Sequence, residues 1–411
     1  MTKKVLFISN GHGEDTDTSY AIRALREAVP DVEPLALPLV GEGGAYRGID
    51  VPIVGPTLVL PSGGFTYVQR SKLIGDIRAG LIGNTIEQWR AMRRIAPDVD
   101  LVFATGDIVS QTFAFGSKRP FISFIASLSA LYEGKLNLDL PLKWYFRSPR
   151  CQTVITRDSA TAIDLKRQGF PRIAYGGMPS MDYLNPSGID LQLPDGADTI
   201  GLLPGSRIPE AERNFRLQLR FVEKAAQYNA DLARRKPLAF RAALVPSLMS
   251  RAVDLATAEG WAMQANGLLR KKITKGVMAE IRCYDGAFAD ILEASAMVVA
   301  MAGQAADQAL ALGKPSLMFA GEGPQFNYRF AEAQYRIHGG LSELVGDRPA
   351  DDGILLASAK RLIELLDDRA FLARAAEKGP LQFGAKGSSA RIVETVLPIL
   401  DALDSRTSDR D

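Results

Sequence analysis

The densest group of proton-handling side chains is Asn10-Gly11-His12-Gly13-Glu14-Asp15, directly after the apolar run Val5 to Ser9. His12, Glu14 and Asp15 can each exchange a proton with a substrate hydroxyl. Gly11 and Gly13 let backbone amides approach a ligand, and together with Ser127 they are the candidates for holding a substrate on this side. The segment lacks the third glycine of G-x-G-x-x-G, so it is not a dinucleotide fingerprint. A plain strand-to-helix turn with Asp15 near the cap is the competing reading. Asp107, after Leu101 to Ala104 and Thr105-Gly106, is the first choice as general base, with Asp15 and His12 as rivals. At a helix start, Asp15 is held charged by the dipole and is better suited to binding a hydroxyl. The plain alternative for Asp107 is a cap for a helix from Val109 onward.

Other segments suit an anionic, hydroxyl-rich ligand. Leu203-Pro204-Gly205-Ser206-Arg207-Ile208-Pro209-Glu210 reads as a strand end, a Gly-Ser turn and a helix start. Free amides at the helix end and the Arg207 fork match a diphosphate. No Gly-Lys-Ser/Thr follows, which excludes a Walker loop. Ala302 to Ala309 repeats the strand-Gly-helix pattern with Gly303, Gln304, Asp307 and Gln308, and Gly321 to Asn327 adds Gln325 and Asn327. Side-chain amides both donate and accept, as a sugar or ribose requires.

These groups need rigid elements behind them. Apolar runs at 5–9, 101–104, 121–125, 153–156, 199–203, 240–245, 297–301 and 316–319 alternate with helical patterns around 18–28, 164–168, 209 onward, 326–335 and 391–403. That alternation predicts an α/β protein with parallel sheets covered on both faces. Turn formers cluster at Gly176-Gly177-Met178-Pro179, Asn185-Pro186-Ser187-Gly188 and Pro194-Asp195-Gly196, where a linker is expected. The expected layout is a domain over 1–180, a hinge over 181–198 and a second domain over 199–385. A helix over 386–403 returns towards the first domain, and 404–411 form a disordered tail. Two doubly wound Rossmann-like halves would face each other across a cleft, with ligands at the carboxyl ends of the strands.

Composition removes several chemistries. The 411 residues carry a formal charge of only +2, which argues against a general nucleic-acid binder. Two histidines and two cysteines nearly exclude a His/Cys metal site, so no metal ligands are assigned. Cys151 and Cys283 fit a reducing compartment. No apolar run reaches the length of a membrane span, and no targeting segment is visible, so a cytoplasmic protein is expected. Residues 58–94 hold Arg70, Lys72, Arg78, Arg90, Arg93 and Arg94 against Asp76 and Glu87, interleaved with Phe65, Tyr67, Val68, Leu73, Ile74, Ile77, Leu81, Ile82 and Trp89. With Lys143-Trp144-Tyr145-Phe146-Arg147, these residues taken alone favour a core helix with a solvated basic face, and peripheral contact with the cytoplasmic membrane face is expected only together with the family resemblance given below.

The Leu-Leu-Pro-Gly-Ser-Arg block and its following acid, the 302–309 segment and the Gly313-Lys314-Pro315 that follows it resemble the donor-binding half of lipid-A-disaccharide synthase. That enzyme is an inverting glycosyltransferase of the two-domain GT-B fold. Gly11 to Asp15 is similar to the opening Gly-His-Gly-Glu-Asp of the lipid-A-disaccharide synthase-related proteins. Gly176 to Asp182 is similar to the hinge of such transferases. The resemblance covers nearly the whole chain. It implies that Arg207 contacts the nucleotide diphosphate and that Gln308 stands where these transferases place a ribose-binding Glu. It also places Gln325 and Asn327 near the loop that reads the donor sugar. Asp15 matches the Asp of the first loop. Thr105 to Ser110 corresponds to D-A-P-D-F-N with one acid, Asp107, instead of two, and which of the two it replaces stays open. The implied activity is inverting, metal-independent transfer of a hexosyl or N-acetylhexosaminyl group from a nucleotide-sugar, expected to be UDP-linked, to a lipid-linked or amphipathic acceptor. No cofactor beyond that co-substrate is implied. A nucleotide-sugar 2-epimerase and a sugar-nucleotide-binding protein without turnover remain the alternatives. The acceptor, the sugar and the oligomeric state stay open.

Overall fold

The computed structural model describes residues 2–58, 81–132, 134–232, 236–264, 267–323, 325–384 and 386–408. The chain forms two compact units, Met1–Tyr183 with Gly384–Asp411, and Leu184–Phe383. Each is built on its own sheet.

The N-terminal unit has strands β1 (Lys3–Ser9), β2 (Val32–Pro38), β3 (Leu101–Thr105), β4 (Phe121–Ile125), β5 (Cys151–Thr156) and β6 (Ile173–Tyr175). They pair in the order β2-β1-β3-β4-β5-β6, all parallel. Strands covered on both faces need continuous apolar runs, and every residue of β3 and β4 is buried. After β2 the chain returns to the other side of β1, so the β1 and β3 loops diverge at a topological switch point. Such a crevice is where open sheets take ligands.

The helix Ser388–Ser408 belongs to this unit. Its Ile392, Val396 and Leu400 are buried with Phe7, Ile22 and Phe103. Burying three aliphatic side chains contributes roughly 5–9 kcal/mol as an upper bound. The expected disordered tail is thus helical as far as Ser408, and 409–411 lie outside the described residues.

The C-terminal unit has β7 (Asp198–Leu203), β8 (Leu238–Leu244), β9 (Ala262–Met263), β10 (Leu268–Thr274), β11 (Val277–Asp285), β12 (Met297–Ala300), β13 (Ser316–Ala320) and β14 (Ser342–Pro349). Their order is β14-β13-β12-β7-β8-β11-β10-β9. Six are parallel, and β10 and β9 add antiparallel at the β11 edge. The switch point falls between β7 and β12. Much of the expected hinge belongs to this unit, because its backbone is tied down there. Gly188 N donates to Asp290 at 2.7 Å, and Arg241 donates to the carbonyls of Leu191 and Gln192.

Candidate active site

At the N-terminal switch point, the helix begins earlier than its apolar periodicity predicts. It spans His12–Ala28 with Gly11 as N-cap, so His12, Gly13, Glu14 and Asp15 form its first turn rather than a loop. Two carboxylates beside four free amides favour that start electrostatically, enough to tolerate Gly13.

Asp15 is only 1% exposed and accepts Ser9 Oγ at 2.6 Å. Ser9 has one proton and gives it to Asp15, so the Tyr46 hydroxyl, 2.5 Å away, is the donor to Ser9. Burial, then the neighbouring Asp15 carboxylate, hold the Tyr46 hydroxyl well above its usual range and keep it protonated. Thr18 Oγ1 adds a bond to Thr105 Oγ1 at 2.7 Å, joining the helix to β3. Asp15 is thus buried in a hydrogen-bonded group with Ser9 and Tyr46 rather than open to solvent. Ser9 and Tyr46 were missed, because nothing local pairs residues 37 apart.

Above this group lie Glu14, half-buried, and His12, exposed. A Cβ on Gly11 would fall 2.6 Å from Glu14 Oε2, and one on Gly106 would fall 3.3 Å from Glu14 Oε1. The Glu14 carboxylate is thus wedged between the β1 and β3 loops. Gly106 also has φ +119, which a side chain resists. Asp107 caps the helix Ile108–Gly116, accepting Val109 N at 2.9 Å, and takes Asn10 Nδ2 at 3.0 Å. The cap reading therefore holds, and the structure brings Asp107 to the same loop pair as Glu14. Burial raises its carboxyl above the ordinary range, against the lowering effect of those bonds. Ser127 is exposed in the loop after β4, the neighbour of β3.

At the C-terminal switch point, Gly205 has φ +99 and turns the chain out of β7. Ser206 is exposed and Arg207 half-buried, ahead of the 22-residue helix Glu210–Asp231. Asn214 Nδ2 donates to Pro204 O at 3.0 Å and to Met301 O at 3.5 Å, joining the β7 and β12 strand ends. Asn214 and Gln218 interrupt the buried apolar face Ala211, Phe215, Leu219 and Val222, and that break in pattern was the available signal.

The helix Gly303–Ala311 starts at the β12 end with Gly303 and Gln304 half-buried. A Cβ on Gly303 would fall 2.9 Å from Gln334 Nε2, which places an unforeseen amide at this helix start. Asp307 lies deeper than a ligand-facing position on this helix suggests. It is 3% exposed, and its Oδ1 lies 3.1 Å from Nε2 of His338, whose Nδ1 lies 2.8 Å from Ser342 Oγ. This carboxylate is buried, with its Oδ1 turned to the interior histidine. Gln308 lies at the edge of burial, 9% exposed. Asn327 caps the helix Tyr328–His338 through Phe330 N, which commits its Oδ1 to the backbone. Gln325 reaches the site through its backbone, which donates to Glu210.

Both thiols are buried, and burial pushes Cys151 and Cys283 up to about 12, so neither is a nucleophile. Among the described residues, no cluster of three or more His, Cys, Asp or Glu could hold a metal ion.

No protein-family model matches the chain, and no curated protein matches its sequence. Solved structures match over nearly its whole length. MurG of Acinetobacter baumannii aligns at TM-score 0.57 and 12% identity, over 96% of this chain and 99% of its own. CalG4, the calicheamicin glycosyltransferase, aligns at 0.59 and 15% identity, over 97% and 98%. The UDP-GlcNAc 2-epimerase of Neisseria meningitidis, solved with UDP-GlcNAc, aligns at 0.52 and 15% identity, over 96% and 100%. The class is therefore fixed at the level of fold: two Rossmann-like units of the GT-B type.

Proposed function

We propose that the protein is an inverting glycosyltransferase that moves a sugar from a UDP-sugar to a lipid-linked or amphipathic hydroxyl acceptor. The observation that carries this reading is the anion-suited turn Gly205-Ser206-Arg207 at the β7/β12 switch point, feeding a long helix. The helix amides and Arg207 meet the diphosphate charge as the leaving group departs, so the chemistry needs no metal ion. Gln304, Gln308 and Gln325 supply amides for the ribose and sugar hydroxyls. The N-terminal unit supplies the acceptor side. Asp107 takes the proton of the acceptor hydroxyl as that oxygen attacks the anomeric carbon and the nucleoside diphosphate leaves. Glu14 and Ser127 hold the acceptor, and His12 is the competing base.

An epimerase is the second reading, because UDP-GlcNAc 2-epimerases resemble the chain as closely as transferases do. Against it, His338 is fully buried and paired, which leaves His12 as the one imidazole for such chemistry. Incubation with radiolabelled UDP-sugars and a lipid extract, with and without a chelator, separates the readings. Chelator-resistant transfer into lipid supports the proposal. Free epimer supports the second reading, and retention without product indicates a binding protein.

A further inference from the structure

We infer that Glu210 is a positioning residue that shapes the loop after β13 to receive the donor's sugar, separately from the diphosphate turn. This deepens the reading above and rests on it. Glu210 opens the helix Glu210–Asp231 and is 5% exposed. A carboxylate so deeply buried needs its charge met. Phe326 N donates to Oε1 at 2.6 Å, and Gln325 N is 3.1 Å from both oxygens. The positive end of its own helix assists.

The loop is built to fit that carboxylate. A Cβ on Gly323 would overlap the Glu210 carboxyl carbon, and one on Gly321 would fall 2.7 Å from Asn214 Oδ1. Gly321 N donates to Phe326 O at 2.8 Å, closing the loop. Phe326, 2% exposed, packs against Phe330 with ring centroids 5.8 Å apart. One charge therefore fixes Gly321–Gly323 and Gln325–Asn327, although 115 residues separate Glu210 from Gln325. Ser206-Arg207 reaches the same helix start by its own covalent path. A ligand touching only that turn is indifferent to the loop, whereas a ligand that also carries a sugar senses it.

Glu210→Gln keeps the size but turns an amide N–H towards two backbone donors. The test is calorimetry with UDP and UDP-GlcNAc, alongside hydrogen exchange at Gln325 and Phe326. In Glu210→Gln the preference for UDP-GlcNAc over UDP is expected to fall about tenfold, the effect of losing a charged hydrogen-bond partner, whatever the change in UDP affinity itself. The two amides should also lose protection. Gly323→Ala should reproduce this loss in the wild type and add nothing to Glu210→Ala, where the obstructing carboxyl is gone. Equal losses for UDP and UDP-GlcNAc, an unchanged preference, or additive effects of the two substitutions would overturn the inference. If the wild type binds neither ligand, the nucleotide-sugar reading fails. Exchange then decides the loop-ordering role alone: retained protection in Glu210→Gln overturns it, and lost protection upholds it.

Discussion

At Asp107 the hydrogen bonds from Val109 N and from Asn10 Nδ2 fall on Oδ1, and in the proposed reaction Oδ2 is the atom that would meet the substrate hydroxyl. Burial raises this carboxyl, so if Asp107 is the base, as proposed, the acid limb of the pH–rate profile should lie above the ordinary carboxylate range. The same shift has a sign for stability. A proton held more tightly in the folded state stabilises below the unfolded value, and that contribution is lost as pH rises through the folded value. Asp107→Asn, which keeps a capping oxygen, should therefore gain Tm relative to wild type as pH rises from acid to neutral. Differential scanning across that range reads it, and a gain confined to low pH contradicts the assignment. Single-turnover transfer compares the bases. Asp107→Asn should lose about a hundredfold or more, the usual general-base contribution, and the same loss in His12→Ala alone would transfer the role to the imidazole. On the donor side, Arg207→Ala should weaken UDP-sugar binding by about 1.5–3 kcal/mol, the range for hydrogen bonds to charged groups. Unchanged calorimetric affinity in a folded variant removes Arg207 from the site.

Single carboxylates also terminate whole elements. Asp182 accepts the amides of Gly387, Ser388 at 3.2 Å and Ser389 at 2.6 Å, capping the helix Ser388–Ser408 from some 205 residues away. Arg391 reinforces the joint by donating to Gly176 O at 3.1 Å and lying over the Tyr175 ring. The cap holds Ile392, Val396 and Leu400 against the N-terminal core. Asp182→Ala should cost about 1–2 kcal/mol, the upper part of the range for a lost N-cap. Chemical denaturation followed by tryptophan fluorescence measures it. All three Trp residues bear on this reading, because Trp89 and Trp144 report the N-terminal unit and Trp261 the C-terminal one. A loss in both signals equally would show that the cap is not local to the N-terminal unit.

For the molecule as a whole, no described helix is long and apolar enough to cross a membrane. Two helices, Leu81–Ile95 and Leu140–Arg147, pack against Ile108–Gly116 in the N-terminal unit. Trp144 is 64% exposed and Leu140 79%, while Ile82 and Ile86 are exposed one turn apart beside Arg90, Arg93 and Arg94. Phe65, Tyr67, Val68, Arg70, Lys72, Leu73, Ile74, Asp76, Ile77 and Arg78 lie outside the described residues. Apolar tips among exposed arginines suit the headgroup region of an anionic bilayer. Liposome flotation should show binding to anionic vesicles that salt reverses and that Leu140→Ala with Trp144→Ala weakens. Equal binding to neutral and anionic vesicles, or none to either, rejects the proposal.

Eight of the fourteen described strands were legible in the sequence because buried parallel strands are continuous apolar runs, as at Phe121–Ile125, while others such as β2 (Val32–Pro38), whose run is broken by Glu33 and Pro34, were not. Strand-end glycines were legible for a related reason, since a chain that turns out of a sheet at positive φ favours a residue without Cβ, as at Gly205 and Gly106. The polar partners were not. Gly11 to Asp15 reads as a loop until Gly11 caps a helix and Ser9 claims Asp15. Asp307 reads as a ligand group until folding sets it beside His338, 31 residues on. Glu210 reads as one more acid at a helix start until the order β13-β12-β7 brings the loop after β13 onto it. A hydrophobic pattern is a local property, repeated along an element and readable from it. The partner of a buried charge is decided by which loops the strand order makes neighbours, and only the tertiary structure contains that order.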